Sequence, residues 1–288
     1  MKGVAVGRWA RHTPYTDPGG HGAVLEALPA DVGRLGEVVR GALVHYRCGQ
    51  EFGAERLAEI DHRWVGAMLD TDQARSRGVW GGRREWPLVG CCRDFALVTV
   101  AALRARGVAA RTRVGFASYL HPGFGTDHVV VEYWDGGRWV WADTQVDPAL
   151  PWPMDAVDIV RSSGAAGAVF ASAAQVWSAH RRGEVDARWY GVHPDLELGG
   201  ERFVRSYVLL ELAHRQGEEV LLWDTWPAMH EVEDAVVDEV ACVLVAADEG
   251  DGAAEEELVG WYERLGPGGR VWCESPSGYR GWVELGSG

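Results

Sequence analysis

From residue 31 to residue 46 the apolar positions Val32, Leu35, Val38, Val39, Ala42 and Leu43 recur at helical spacing just after Pro29, and they predict a helix. A second helix is expected over 55–69, with Leu57, Ile60, Trp64, Val65 and Met68 on its apolar side. Between 71 and 89 the pattern fades into a loop rich in Gly, Arg and Trp, the kind of segment that carries sites more often than cores. From about Cys92 it changes character. Phe95, Leu97, Val98, Val100, Ala101 and Leu103 leave almost no polar face, the mark of a buried helix, and Gly107 is its natural stop. Residues 111–119 read as a strand, and 127–134 with 138–144 as a hairpin closed by Asp135-Gly136-Gly137. Beyond the prolines of 148–153 the chain reads as mostly helical, over 167–182, 202–216, 232–248 and 255–265. In the third of these Val232, Val236, Val240, Val243, Leu244 and Ala247 keep the helical period, and Cys242 falls on the same stripe as a core thiol.

Composition narrows the partners. A chain of 288 residues with 47% hydrophobic residues can fill a large core, so disorder is not the default. The net charge of -14 argues against a nucleic acid or an anionic membrane, both of which need basic surface. The opening residues carry Lys2, Arg8 and Arg11 with no apolar run after them, unlike a secretory signal, and no stretch approaches the ~20 apolar residues of a membrane span. Five cysteines without regular spacing do not form a disulfide framework, and a reducing cytoplasmic setting is expected. The acidic stretch 248–257 lacks the spacing of a calcium loop and reads as a solvated turn and helix start. Neither a metal nor a cofactor is expected, since His-Glu-x-x-His and paired Cys-x-x-Cys spacings are missing.

The chemistry concentrates at Gly90-Cys91-Cys92-Arg93-Asp94-Phe95-Ala96, which places cysteines where a loop turns into the apolar helix. A helix N-terminus favours a thiolate at Cys92, and its unpaired N–H groups can also face an oxyanion. A base must then come from elsewhere. His128 opens a strand, and Asp143 lies on the returning arm of the hairpin, where a carboxylate can reach the far nitrogen of the ring. His121 sits in a Gly-rich loop without a carboxylate at hairpin distance, and Asp127 should point to the strand face opposite His128. Cys91 and Asp94 at the helix start, with Trp80 and Trp86 in the preceding loop, are the substrate-binding or oxyanion candidates. For Cys91 and the two tryptophans plain packing is the competing reading, and for Asp94 a capping charge. Trp223-Asp224-Thr225-Trp226 could roof a cleft from the second half.

The blocks Cys-Arg-Asp-Phe-Ala from Cys92, Ala-Arg-Thr-Arg-Val-Gly-Phe from Ala110, Asp-His-Val-Val-Val-Glu-Tyr-Trp from Asp127 and Trp-Val-Trp-Ala-Asp from Trp139 resemble the transglutaminase-like superfamily over roughly residues 90–147. That resemblance implies an α+β fold related to papain, a helix bearing the cysteine packed on an antiparallel sheet, here followed by a mostly helical C-terminal half. It implies a catalytic core over 1–155 and a helical extension over 156–288, separate or packed into the same domain. It also implies Cys92 as nucleophile, His128 as base and acid, and Asp143 as the orienting carboxylate. The expected activity is cysteine-dependent acyl transfer or hydrolysis at a peptide, glutamine-type or small-molecule amide through a thioester, with water or an amine as acceptor. The alternative is a non-catalytic peptide- or glycan-binding module on the same fold.

Overall fold

The computed structural model describes residues 7–81 and 83–286. A short helix α1 (Gly22–Glu26) precedes α2 (Val32–Ala42), whose first turn is capped by the Asp31 carboxylate accepting the Arg34 N–H at 2.9 Å. Val32, Leu35, Val39 and Ala42 bury its apolar side, as the periodicity predicts. The helix ends before residue 46, because Leu43–His45 becomes strand β1. This strand pairs in parallel with β2 (Leu88–Gly90) and sets His45 opposite Gly90.

The helix expected over 55–69 is broken into α3 (Ala54–Leu57), a 3-10 turn at Ala58–Asp61 and α4 (Val65–Arg75). At this break Glu59, which a continuous helix would set opposite its apolar side, is buried. It accepts from the Arg75 guanidinium and from the Val89 N–H at 2.9 Å and forms an ion pair with Arg56, which fastens the turn to β2.

Helix α5 (Cys92–Ala105) is the centre of the molecule, buried from Cys92 to Arg104. It stops where expected. The Gly107 N–H bonds the Arg104 carbonyl at 2.8 Å and the Val108 N–H bonds the Leu103 carbonyl at 3.0 Å, a closure that needs the φ of 73° at Gly107. Against α5 lies an antiparallel sheet in the order β5-β4-β3-β6: β3 (Ala110–His121), β4 (Phe124–Trp134), β5 (Trp139–Ala142) and β6 (Phe170–Ser172). The short β7 (Tyr190–Gly191) pairs in parallel with Gly125 and Thr126 of β4, and the Tyr190 ring lies so close over Gly125 that a side chain there would collide with it.

In the second half β6 runs into α6 (Ala173–Arg181), so the helix expected over 167–182 begins as a strand. Then come α7 (Glu201–Arg215), β8 (Asp224–Thr225), α8 (Ala228–Glu231), α9 (Asp234–Asp248), α10 (Gly252–Leu265), β9 (Arg270–Glu274) and β10 (Arg280–Glu284). The last strands form a small antiparallel sheet, β10-β9-β8, that the sequence pattern did not signal. Leu97 and Val100 of α5, Val114 of β3, Leu212 of α7 and Leu244 of α9 share one apolar core. On α9 the buried stripe is Val237, Val240, Ala241, Leu244 and Ala247, which rotates Cys242 into solvent and corrects its expected core place. Among the described residues no helix is long and apolar enough to cross a membrane.

The acidic stretch is a second correction. Asp248 and Glu255 are not solvated charges but members of a buried ion network. Arg113 on β3 donates to Glu211 of α7 at 2.8 Å and to Asp248 at 2.6 Å, Arg215 of α7 to Glu255 at 2.6 Å, and Arg111 to Glu255 at 3.0 Å and to Glu132 at 2.5 Å. Burial alone would raise the Glu132 carboxyl, yet the charges of Arg111 and Arg113 hold it down at about 2. Removing one partner from such a network strands the others without water. Arg113→Met is therefore expected to destabilise the fold by ~3–5 kcal/mol in urea unfolding, because Glu211 loses its paired cation and Asp248 and Glu132 each lose one of theirs. Arg138→Met, at the exposed pair with Asp158, should leave the unfolding midpoint in place. Equal effects of the two substitutions would show that the buried network contributes nothing special.

Candidate active site

The start of α5 is built by its own first turn. Cys91 is the N-cap, and its N–H donates to Asp94 Oδ2 at 2.8 Å, while Asp94 Oδ1 accepts from Arg93 Nη1 at 2.9 Å. Arg93 is fully buried, and its Nε–H continues to the Glu219 carbonyl at 3.0 Å. Asp94 is thus a capping group, not a lining residue of the cavity, which corrects its place among the substrate or oxyanion candidates. Burial pushes its carboxyl up, against the pull of the Arg93 charge.

Cys92 lies one residue beyond the cap, buried, and lines a cavity of about 1080 Å³. His128, the fifth residue of β4, lines the same cavity. The ring's Nε2 is 2.8 Å from Asp143 Oδ2, so the nitrogen left for the thiol is Nδ1. Asp143 follows the last residue of β5. The sheet register pairs Val131 with Ala142, so the carboxylate approaches His128 on the diagonal rather than from directly opposite. Its N–H bonds the Ala156 carbonyl at 2.7 Å, Tyr119 Oη–H donates to Oδ2 at 2.7 Å, and the Gln145 N–H donates to Oδ1 at 2.9 Å. With both oxygens held, the carboxylate cannot rotate away from the ring.

The electrostatics follow from these contacts. The Cys92 thiol is held well below its usual range, first by a hydrogen bond from the Cys91 thiol and then, against the cost of burial, by bonds from His128 and His45. The Cys91 thiol moves well up, because its proton is committed to Cys92 and it is itself buried. Cys91 lines the cavity beside its neighbour. Burial would lower His128, but the Asp143 charge and hydrogen bond outweigh it and raise the ring to about 10. Asp143 stays ionised below the ordinary carboxylate range, the His128 charge overcoming burial.

Other candidates are placed elsewhere. The Trp80 indole N–H is spent on Asp72 Oδ2 at 2.8 Å within the core, and Trp86, 59% exposed, lines a different cleft beside Arg34 and Arg56. Neither tryptophan reaches the cavity at Cys92, so neither supplies an oxyanion donor there. His121 lines the rim, bonded to Thr126 Oγ1 at 2.7 Å and edge-on to His193. Asp127 turns from His128 toward Tyr207 of α7, whose Oη–H donates to it at 2.6 Å, yet it still borders the cavity. Burial first, and the charge on Cys92 second, raise Asp127 to about 7. Of the Trp223–Trp226 run, Trp223 and Thr225 line the cavity. Asp224 is buried on Arg63, and Trp226 is buried with its Nε1–H on the Leu265 carbonyl.

The sequence reading missed His45 and Trp272. His45 reaches Cys92 only because β1 pairs with β2, and Trp272 enters the cavity from β9. A lone histidine at the end of a predicted helix gave no signal of either role, and strands this short have too little alternation to be read.

With the thiol depressed and the imidazole raised, Cys92 and His128 coexist as thiolate and imidazolium between their two shifted values. Iodoacetamide alkylation at pH 6 is expected to favour Cys92 over the exposed Cys48 and Cys242, and His128→Ala to slow it at least ~10-fold. The ion pair should persist until the ring loses its proton near pH 10. Alkylation of Cys92 that is slow at pH 6 and rises only through the ordinary thiol range would contradict this pairing.

No curated protein matches the chain. A solved structure from Cytophaga hutchinsonii, titled a "Putative Cysteine Protease", is similar at 18% identity with a TM-score of 0.34, over 58% of this chain and 50% of that one. The chain thus spans about half the length of that protein. The segment that contains Cys92, His128 and Asp143, residues 56–144, matches the model of the transglutaminase-like superfamily.

Proposed function

We propose that the protein is a cysteine-dependent enzyme that transfers or hydrolyses the acyl group of an amide, a peptide, a glutamine-type side chain or a small-molecule amide, through a thioester on Cys92. The observation that carries this reading is the 2.8 Å bond between His128 Nε2 and Asp143 Oδ2, which leaves the other ring nitrogen for a thiol at a buried helix start. The transglutaminase-like match over 56–144 supports the same chemistry.

In this reading the Cys92 thiolate attacks the carbonyl carbon, and the carbonyl π electrons move onto oxygen. As the oxyanion collapses, the C–N bond breaks and His128 gives its Nδ1 proton to the departing amine. The thioester is then attacked by water or an amine, whose proton His128 takes back, and the thiolate leaves. Asp143 holds the ring in place and stabilises its charge without itself being protonated. The cavity that receives the substrate mixes the carboxylates of Asp127 and Glu274 with the indoles of Trp223 and Trp272, which offers polar anchors beside flat apolar walls.

Incubation with a peptide-amide library, followed by intact-mass analysis, should reveal an added acyl mass that maps to Cys92 and is missing in Cys92→Ala. Asp143→Asn should keep the fold but lower turnover ~10²–10⁴-fold. Undiminished turnover in Cys92→Ala would end the proposal.

A further inference from the structure

A tetrahedral intermediate needs donors for its oxygen, and His128 has none to spare. Its Nε2 faces Asp143, and its other nitrogen must deliver a proton to the leaving group. The first-turn N–H groups of α5 supply one side of such a site. The side chains expected for the other, Trp80 and Trp86, lie outside the cavity.

His45 stands there instead. The parallel register of β1 and β2 puts it opposite Gly90, two residues before Cys92, and the Tyr46 N–H locks that register on the Gly90 carbonyl at 2.9 Å. Its Nδ1 accepts the Arg47 N–H at 3.1 Å, so the ring proton sits on Nε2. The half-buried ring lines the same cavity as Cys91, Cys92 and His128, and its nearness helps hold the Cys92 thiol down. Since Nδ1 is occupied as an acceptor, what the ring offers the cavity is an Nε2–H donor. A fixed donor beside the nucleophile is also beside the carbonyl that the nucleophile attacks. His45 lies outside the 56–144 segment, so that match does not assign it a role.

We infer that His45 is a catalytic residue of the acyl transfer proposed above, its Nε2–H donating to the carbonyl oxygen as that oxygen gains negative charge. The inference rests on Cys92 being the nucleophile, and two probes separate the claims. Acylation of the full chain by p-nitrophenyl acetate passes through an oxyanion, whereas alkylation by iodoacetamide displaces iodide without one.

At pH 8.5 His45→Ala is expected to slow the acylation burst ~100-fold while alkylation stays within about threefold. His45→Gln, which keeps an N–H donor, should recover at least ~10-fold of the lost acylation rate. Circular dichroism of both variants shows that they fold, and if the alanine variant does not, the glutamine variant carries the same comparison against wild type. A parallel loss of acylation and alkylation would mean that His45 only tunes the thiol. Unchanged acylation, or a glutamine variant no better than alanine, would overturn the donor role. A burst that survives Cys92→Ala, or a wild type without one, would instead strike the underlying reading.

Discussion

The first turn of α5 is buried in protein, and what the site can do depends on how that end is satisfied. Unpaired N–H groups at such a place cost ~1–3 kcal/mol each when water is excluded, so the chain must supply acceptors. Asp94 supplies one carboxylate for the Cys91 N–H and for Arg93, and Arg93 in turn spans to the Glu219 carbonyl. The result is a helix end whose position is set from both the first and second halves of the sequence. Cys92 inherits that position, and the same first turn that orients it also stabilises its charge.

The second half does more than cover the sheet. Tyr207 of α7 anchors Asp127, while Trp223 and Trp272 close the cavity from segments far along the chain. The ion network around Arg113 and Asp248 fastens α7, α9 and α10 to β3, so the walls of the cavity are carried by a braced frame. Charges buried in this way bring little net stability but penalise any arrangement that leaves one unmatched. The core therefore fixes where the helices sit, and with them the residues that border Cys92.

The long, strongly patterned elements were legible in the sequence. The near-continuous apolarity from Phe95 to Leu103 and the stop at Gly107 describe α5 well, and the turn at Asp135-Gly136-Gly137 gives the hairpin. The pairing of His128 with Asp143 followed from that hairpin, although the register makes the approach diagonal. What was not legible depended on tertiary choices. The pattern over 55–69 looked helical although the chain breaks there and buries Glu59 against Arg75 and the Val89 N–H, and the acidic stretch looked solvated because its arginine partners lie on β3 and α7. His45 was invisible for the same reason, since a three-residue strand gains its meaning only from the partner it pairs with.

The proposed chemistry rests on His128 being an imidazolium held between a thiolate and a carboxylate. Nitrogen-15 NMR of the ring tests this most directly. Both ring nitrogens are expected to be protonated at neutral pH, with loss of that signal only as the pH approaches about 10. A ring that is neutral at pH 7 and titrates near the ordinary 6.5 of a histidine would contradict it.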